Sequence, residues 1–351
     1  MESESPNLPD EIIFNILSRL SVQLLCRFKS VSKPWLSMIT SSHFAKAQLN
    51  QSTLDSNTQK IIITSRAPFS AYSLDYKVPA PGQTLAELET PCKSRGEILG
   101  SCNGIVLLRF GAELCLWNPT TRMCRKCSQP KYRDGILMYG LGYNSISDDF
   151  VVVRVVRPVP SFGNATSAVH VFSTKLGSLK RIGDFGYEIF HYEPPGATVR
   201  GAPHWVVSRS RGGSASEVIV WFDAFEEKFK ELPMPTNGGR EEFIELRDLG
   251  GWLCVVQKDE LCGIAHACLM KEYGVKESWT RELSVPYRFG EFSMPLLSEE
   301  YVVTVVDWEI LRIYDFKKHW CNDIVIPHRC KFHATLSVES LFSPHGGNGT
   351  K

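Results

Sequence analysis

The sequence predicts a mainly β protein with a small α N-terminal domain: three short helices, then a β-propeller-like domain of about six blades. Three observations carry this. Apolar residues between positions 8 and 39 recur at helical spacing. From about residue 60 they fall instead into short strand-length runs. Those runs repeat at intervals of about 45–55 residues, the spacing of a four-stranded propeller blade.

The helices come first. In "LPDEIIFNILSRLSV", Pro9 suits a first helical turn, where its missing N–H costs nothing. Asp10 and Glu11 follow, favourable at a helix N-terminus. Ile12, Ile13, Ile16, Leu17 and Leu20 then form one stripe. A second short helix carries Val22, Leu24, Leu25 and Phe28. A third opens at Ser32, with Pro34 in its first turn and Trp35, Met38 and Ile39 on one face. Residues 45–59, polar and amide-rich, read as a helix end and linker.

The strands follow. One unit recurs: a strand ending in a large apolar residue, a turn, then a polar strand. It is seen in "LCLWNPTTRMCRK", "VHVFSTKLGSLKRI", "VIVWFDAFEEKFKEL", "ACLMKEYGVKESWTREL" and "LRIYDFKKHWCNDIVI", aligned on Trp117, Phe172, Phe222, Met270 and Tyr314. A further blade is expected from the C-terminal run "ATLSVESLF" together with the early runs "KIIITSR" and "AYSLDY", which would close the ring and remove open edges. The expected boundaries are a helical domain over 1–44, a linker over 45–59, the propeller-like domain over 60–345 and a flexible tail over 346–351.

Composition excludes several classes. The 351 residues carry 39 Lys+Arg against 38 Asp+Glu, a net charge of +1, so no global field invites nucleic acid. No apolar run approaches the ~18 residues of a membrane span. The polar start "MESESPNLPD" does not resemble a secretory or mitochondrial leader, so a cytoplasmic or nuclear protein is expected. Its 11 cysteines, odd in number and scattered, then read as reduced thiols. Asn164-Ala-Thr166 and Asn348-Gly-Thr350 read as chance glycosylation matches in that setting.

On periodicity alone, the helices either dock on the propeller or present an apolar face to a helical partner. Here a family resemblance enters. "LPDEIIFNILSRLSVQLLCRFKSVSKPWLSMITSSHF" resembles an F-box, through Leu8-Pro9, "ILSRL", "RFKSVSKPW" and Phe44. The rest resembles the associated domain of plant F-box proteins, through "GSCNGIVLL", "LWNPTTR", "YGLGYNSISDDFVVVRV", "GAPHWVV", "FDAFEEKFKELPMP", "LGGWLCVV" and "MKEYGVKESWT". The likeness is to the F-box receptors grouped with plant defence regulators and pollen self-incompatibility determinants. It implies a substrate-recognition subunit of a Skp-cullin-F-box ubiquitin ligase. The Skp-type adaptor would join it to cullin and the ubiquitin-conjugating machinery. Carried onto this sequence, Leu8, Pro9, Ile12, Ile16, Leu17 and Leu20 would form much of the adaptor contact, and Val31 and Trp35 would complete or support it. Two positions depart from the family pattern. Ser21 replaces a usual proline but can cap the second helix, and Cys26 replaces a common leucine.

The chemistry-bearing residues argue for no enzyme. Cys102 in "GSCNG" has no local base or orienting partner, and the turn joins strand to strand. Cys124-x-x-Cys127 stands without a second pair, and Cys321, His328, Cys330 and His333 match no zinc spacing, so no metal is expected. His204 beside Trp205 reads as a hydrogen-bonded structural histidine. No phosphate-cradling glycine loop is present, and no cofactor is expected. Phe222, Phe225, Phe229, Tyr273 and Trp279 read as blade-packing aromatics. Two long loops stand out, "RPVPSFGNATS" with Arg157 and Phe162, and "SRSRGGSASE" with Arg209 and Arg211. Both join second to third strands, so they should share one face, the expected surface for an unknown protein target. Two alternatives stay open: an F-box scaffold acting without ubiquitin transfer, and a ligand-binding propeller with an incidental helical arm.

Overall fold

A computed structural model describes residues 8–346 apart from short segments, among them 76–84, 128–134, 158–165, 190–195, 210–215 and 237–241. Helices α1 (Asp10–Leu17), α2 (Val22–Phe28) and α3 (Lys33–Thr40) form where the periodicity places them. Pro9 immediately precedes α1, and its carbonyl accepts from Ile12 N at 3.0 Å. Ser21 caps α2 by accepting from Leu24 N at 3.5 Å, and Ser32 caps α3 by accepting from Trp35 N at 3.3 Å. Leu17, Val22, Leu25, Ile39 and Phe44 pack together as the helical core.

A fourth helix, α4 (Ser42–Leu54), takes up most of the stretch read as helix end and linker. Its sequence has little amphipathic signal of its own. Packing supplies the reason: Phe44 and Ala45 enter the helical core, while Leu49 enters the propeller. The expected tail lies, beyond Gly346, outside the described residues.

Among the described residues, 24 strands form six four-stranded sheets arranged as a propeller. β1 (Gln59–Ser65), β2 (Ala71–Asp75) and β3 (Ala86–Leu88) wait for a partner from the far end of the chain. Blade 1 is β4 (Glu97–Cys102), β5 (Ile105–Phe110), β6 (Glu113–Trp117) and β7 (Cys124–Cys127). Blade 2 is β8 (Gly135–Asn144), β9 (Asp149–Arg157), β10 (Ser167–Ser173) and β11 (Ser178–Phe185). Blade 3 is β12 (Ala197–Val199), β13 (Ala202–Arg209), β14 (Ser216–Asp223) and β15 (Lys228–Leu232). Blade 4 is β16 (Glu242–Leu249), β17 (Trp252–Asp259), β18 (Ile264–Met270) and β19 (Trp279–Pro286). Blade 5 is β20 (Glu291–Leu297), β21 (Tyr301–Val306), β22 (Ile310–Asp315) and β23 (Trp320–Val325).

The sixth blade joins both ends of the chain. β24 (Phe332–Val338) pairs antiparallel with β1, from Gln59 opposite Val338 to Ser65 opposite Phe332. β4, β8, β12, β16, β20 and β24 touch in ring order, so the first strand of each blade lines the axis. The five residues used to align the repeat all lie on third strands.

The hairpins share a turn device. A short polar side chain accepts from backbone N–H groups two or three places on, and the residue four places on is left-handed. Asn118 serves Thr120 and Thr121 with Arg122 at φ 62, and Asp223 serves Phe225 and Glu226 with Glu227 at φ 55. Asn144 with Asp148, Ser173 with Gly177 and Asp259 with Gly263 repeat it. The side-chain oxygen stands in for a carbonyl, and the left-handed residue returns the chain to the strand.

Two glycines record close approach. A Cβ at Gly140 would meet the Trp205 ring at 2.3 Å, so blade 3's tryptophan lies directly on the β8 backbone. Trp205 Nε1 donates to Tyr139 O there at 2.9 Å. In "GSCNG", Gly104 has φ +78, and a Cβ would lie 2.5 Å from the carbonyl of Val338. Gly111, at φ +60, has nothing within 4 Å. Gly104→Ala should therefore lower unfolding free energy by about 2–4 kcal/mol, against about 1–2 kcal/mol for Gly111→Ala, which meets only left-handed strain. Urea unfolding of the two variants checks this, and equal losses would rule out the close contact.

Candidate functional site

The helical domain keeps an apolar face open. Leu8, Ile12, Ile16 and Val31 are 56%, 45%, 51% and 59% exposed. Ile12 and Ile16 stand one turn apart on α1, with Leu8 just before it. Pro9 is exposed beside them. Leu20 and Trp35 are half-buried, Trp35 meeting Phe28 edge-on at 5.6 Å. Leu17 is the correction. It is only 2% exposed and sits in the core, so it holds α1 in place rather than offering a surface. The α1 stripe is wide enough to serve both sides, and its register turns Leu17 inward. Leu24 on α2 and Leu36 on α3, 39% and 42% exposed, are further open apolar residues of the helical domain that the expected adaptor contact does not include. Cys26, half-buried, fills part of the helical core.

This domain sits on one end of the propeller. Lys46 on α4 donates to Ser145 O at 3.0 Å and ion-pairs with Asp148, both in the β8–β9 turn. The Tyr143 hydroxyl donates to the same Asp148 at 2.9 Å. Lys46, Tyr143 and Ser42 together hold the Asp148 carboxyl below its usual range despite partial desolvation.

From that turn β9 runs away to Arg157, about 30 Å at strand rise. β13 runs the same way, because its starting turn meets β8: Tyr143 N donates to Gly201 O at 2.7 Å. Arg157 and Arg209 thus lie at the end of the propeller facing away from the helices. Arg157 is half-buried. Arg209 is exposed and bound to Glu231, Nε donating to Oε1 at 3.1 Å, with the Tyr187 hydroxyl on the same carboxylate at 3.0 Å. Phe162 and Arg211 lie outside the described residues.

His204 on β13 is held between blades 3 and 4. His204 is fully buried. Ala202 O can only accept, so Nδ1 carries the proton and donates to it at 2.8 Å. Nε2 then accepts from the Tyr273 hydroxyl at 2.6 Å. Burial drives the ring's pKa from 6.5 down to about 4. Burial likewise pushes the Cys115 and Cys127 thiols up to about 12, far from nucleophilic. Cys102 is pushed up by burial as well. Among the described residues no group of three His, Cys, Asp or Glu is placed to hold a metal; His328 and Cys330 lie outside them. Phe222, Phe229, Tyr273 and Trp279 pack within and between blades. Phe225 does not. It stands 69% exposed at the tip of the β14–β15 turn, where the turn device faces it outward. No helix among the described residues is long and apolar enough to cross a membrane.

A helical module with exposed apolar residues is thus fixed to one end of a six-bladed propeller. Comparison with known proteins identifies the family. Residues 5–46 match the F-box domain, and residues 62–286 match the F-box associated beta propeller domain. The chain belongs to the family of F-box proteins carrying that propeller. F-box protein CPR1 of Arabidopsis thaliana is 29% identical over 307 residues, 79% of this chain and 73% of that protein. F-box/kelch-repeat protein At3g23880 of the same plant is 29% identical over 321 residues, 86% of this chain and 85% of that protein. F-box protein At4g22390, also from Arabidopsis thaliana, is 28% identical over 375 residues, covering 98% and 92%.

His204 gives the propeller an acid limit. The unfolded chain binds its proton near pH 6.5 and the folded one only near pH 4, so stability falls as pH drops through that window. Asp248, raised from 3.8 to about 6 by burial, works in the opposite direction below pH 6. The difference between the parent and His204→Gln isolates the histidine. Chemical unfolding from pH 7.5 to 4.5 should show a shallower acid loss in the variant, and parallel curves would mean that burial does not lower the His204 pKa in the fold.

Proposed function

We propose that this protein is the substrate receptor of a Skp-cullin-F-box ubiquitin ligase. The observation that carries the reading is the exposure of Leu8, Ile12, Ile16 and Val31 on a helical domain whose Leu17, Val22, Leu25, Ile39 and Phe44 form a buried core. Large apolar anchors of this kind, set in a partner's groove, dominate a helical interface. The partner is a Skp-type adaptor, and through it cullin and a charged conjugating enzyme.

The propeller end opposite the helices, where Arg157 and Arg209 stand, would hold a protein target. The receptor makes and breaks no bond itself. It raises the local concentration of the target's lysines near the charged enzyme, converting a bimolecular encounter into a nearly intramolecular one. Such a receptor would work in the cytoplasm or nucleus.

Size-exclusion chromatography of the full chain with purified Skp adaptor tests the reading. The parent should co-elute. The triple variant Leu8→Ala, Ile12→Ala, Ile16→Ala should bind about 1000-fold more weakly, because three anchors at about 1–2 kcal/mol each are lost. Its urea midpoint should be unchanged, since these side chains face solvent. Leu17→Ala should instead destabilise the helical domain by about 2–4 kcal/mol. A folded parent that never meets the adaptor overturns the proposal and leaves the helices as an arm docked on the propeller.

A further inference from the structure

The segment following β24, residues 339–346, leaves the sixth blade and crosses the face that carries the helices. Its contacts are unusually divided. Leu341, 7% exposed, lies in the helical core with Leu17, Val22, Leu25, Ile39 and Phe44. The next residue, Phe342, also 7% exposed, lies in the core between blades 1 and 2. There it meets Phe150 edge-on at 5.6 Å and Tyr143 at 5.1 Å. Adjacent side chains of an extended segment point to opposite sides. Here the two sides are two different cores.

The backbone of the segment is held as firmly. Asn118, fully buried, donates through Nδ2 to Ser340 O at 3.0 Å and to Phe342 O at 2.9 Å. Ser340 Oγ donates to Asn103 O at 2.7 Å, and Arg125 donates to His345 O at 2.9 Å. Glu339 N donates to Thr58 O at 2.9 Å, next to where the chain enters β1. The left-handed Gly104 lies directly beneath, with no room for a side chain against Ser340.

We propose that residues 339–346 are a strap that completes the core of the F-box and locks it to the propeller, so that the two turn as one rigid body. The F-box of this chain is then not self-sufficient. About forty residues seldom bury enough apolar surface to fold alone, and this domain borrows Leu341 from the far end of the sequence. The strap also fixes the angle between the adaptor-binding face and the opposite end of the propeller. Loosening it would open the helical core, leave the blades folded and uncouple the orientations of the two parts. The inference rests on packing alone and stands whether or not the adaptor reading does.

Hydrogen–deuterium exchange on the full chain provides the test, with two variants that attack different ends of the strap. Asn118→Asp keeps an oxygen for the Thr120 and Thr121 N–H groups but turns a carboxylate oxygen toward the carbonyls of Ser340 and Phe342. Leu341→Ala leaves the strap seated and removes its plug from the helical core. In both, amides of α1–α4 should exchange at least tenfold faster, while β16–β19 of blade 4 stay as protected as in the parent. If the α1–α4 amides of Leu341→Ala exchange at the parent rate, the proposal is overturned and the segment is a passive tail. If Asn118→Asp opens blade 4 as well, its blade has unfolded, and Leu341→Ala alone decides.

Discussion

The pairing of β24 with β1 is the constraint on which the rest of the molecule depends. A propeller closes its ring only when every blade is complete, and here the sixth blade needs strands from both ends of the chain. Because the two strands are antiparallel neighbours, Gln59 and Val338 meet at one end of the blade. The chain therefore enters the ring from α4 and leaves it toward Leu341 at the same face. The helical domain, the strap and the β8–β9 turn come together there for that reason. The opposite end is left to the connections between second and third strands and to those between successive blades.

Polar chemistry follows the same geometry. Two buried side chains are held by fixed partners on both sides. His204 sits between Ala202 O and the Tyr273 hydroxyl, and Asn118 satisfies its whole amide between its own turn and the strap. Arg109 on β5 pairs with Glu97 on β4, and Arg247 pairs with Glu245 within β16. Arrangements of this kind confer a unique packing register on blades whose apolar residues alone would slide.

Much of this was legible in the sequence. The third strands announce themselves because each couples an apolar run to a polar turn residue, as in "LWNPTTR" and "WFDAFEEKF". The split blade was legible because its runs had no other partners. What escaped was non-local. Among its described side chains α4 buries only Phe44, Ala45 and Leu49 as apolar residues, and its helicity comes from docking on the helical core and on the propeller. Leu341 reads as one more apolar residue beside a strand, since nothing local reveals that its core lies among residues 17–45. Leu17 shows the limit of periodicity, which identifies a stripe without saying which edge of it faces solvent. Phe225 shows the limit of residue type, because a turn tip can aim even a phenylalanine outward.

The order of synthesis gives the strap a further meaning. A ribosome delivers the four helices and five blades before β24 and Leu341. Until then β1 presents an open edge and the helical core lacks a residue, so the nascent chain holds both ends in waiting. A chain cut short by a premature stop, even by a few dozen residues, would expose an unpaired strand and loosened apolar helices together. Both are features that cellular quality control engages. Only a chain synthesised through the strap can present the F-box in its finished form.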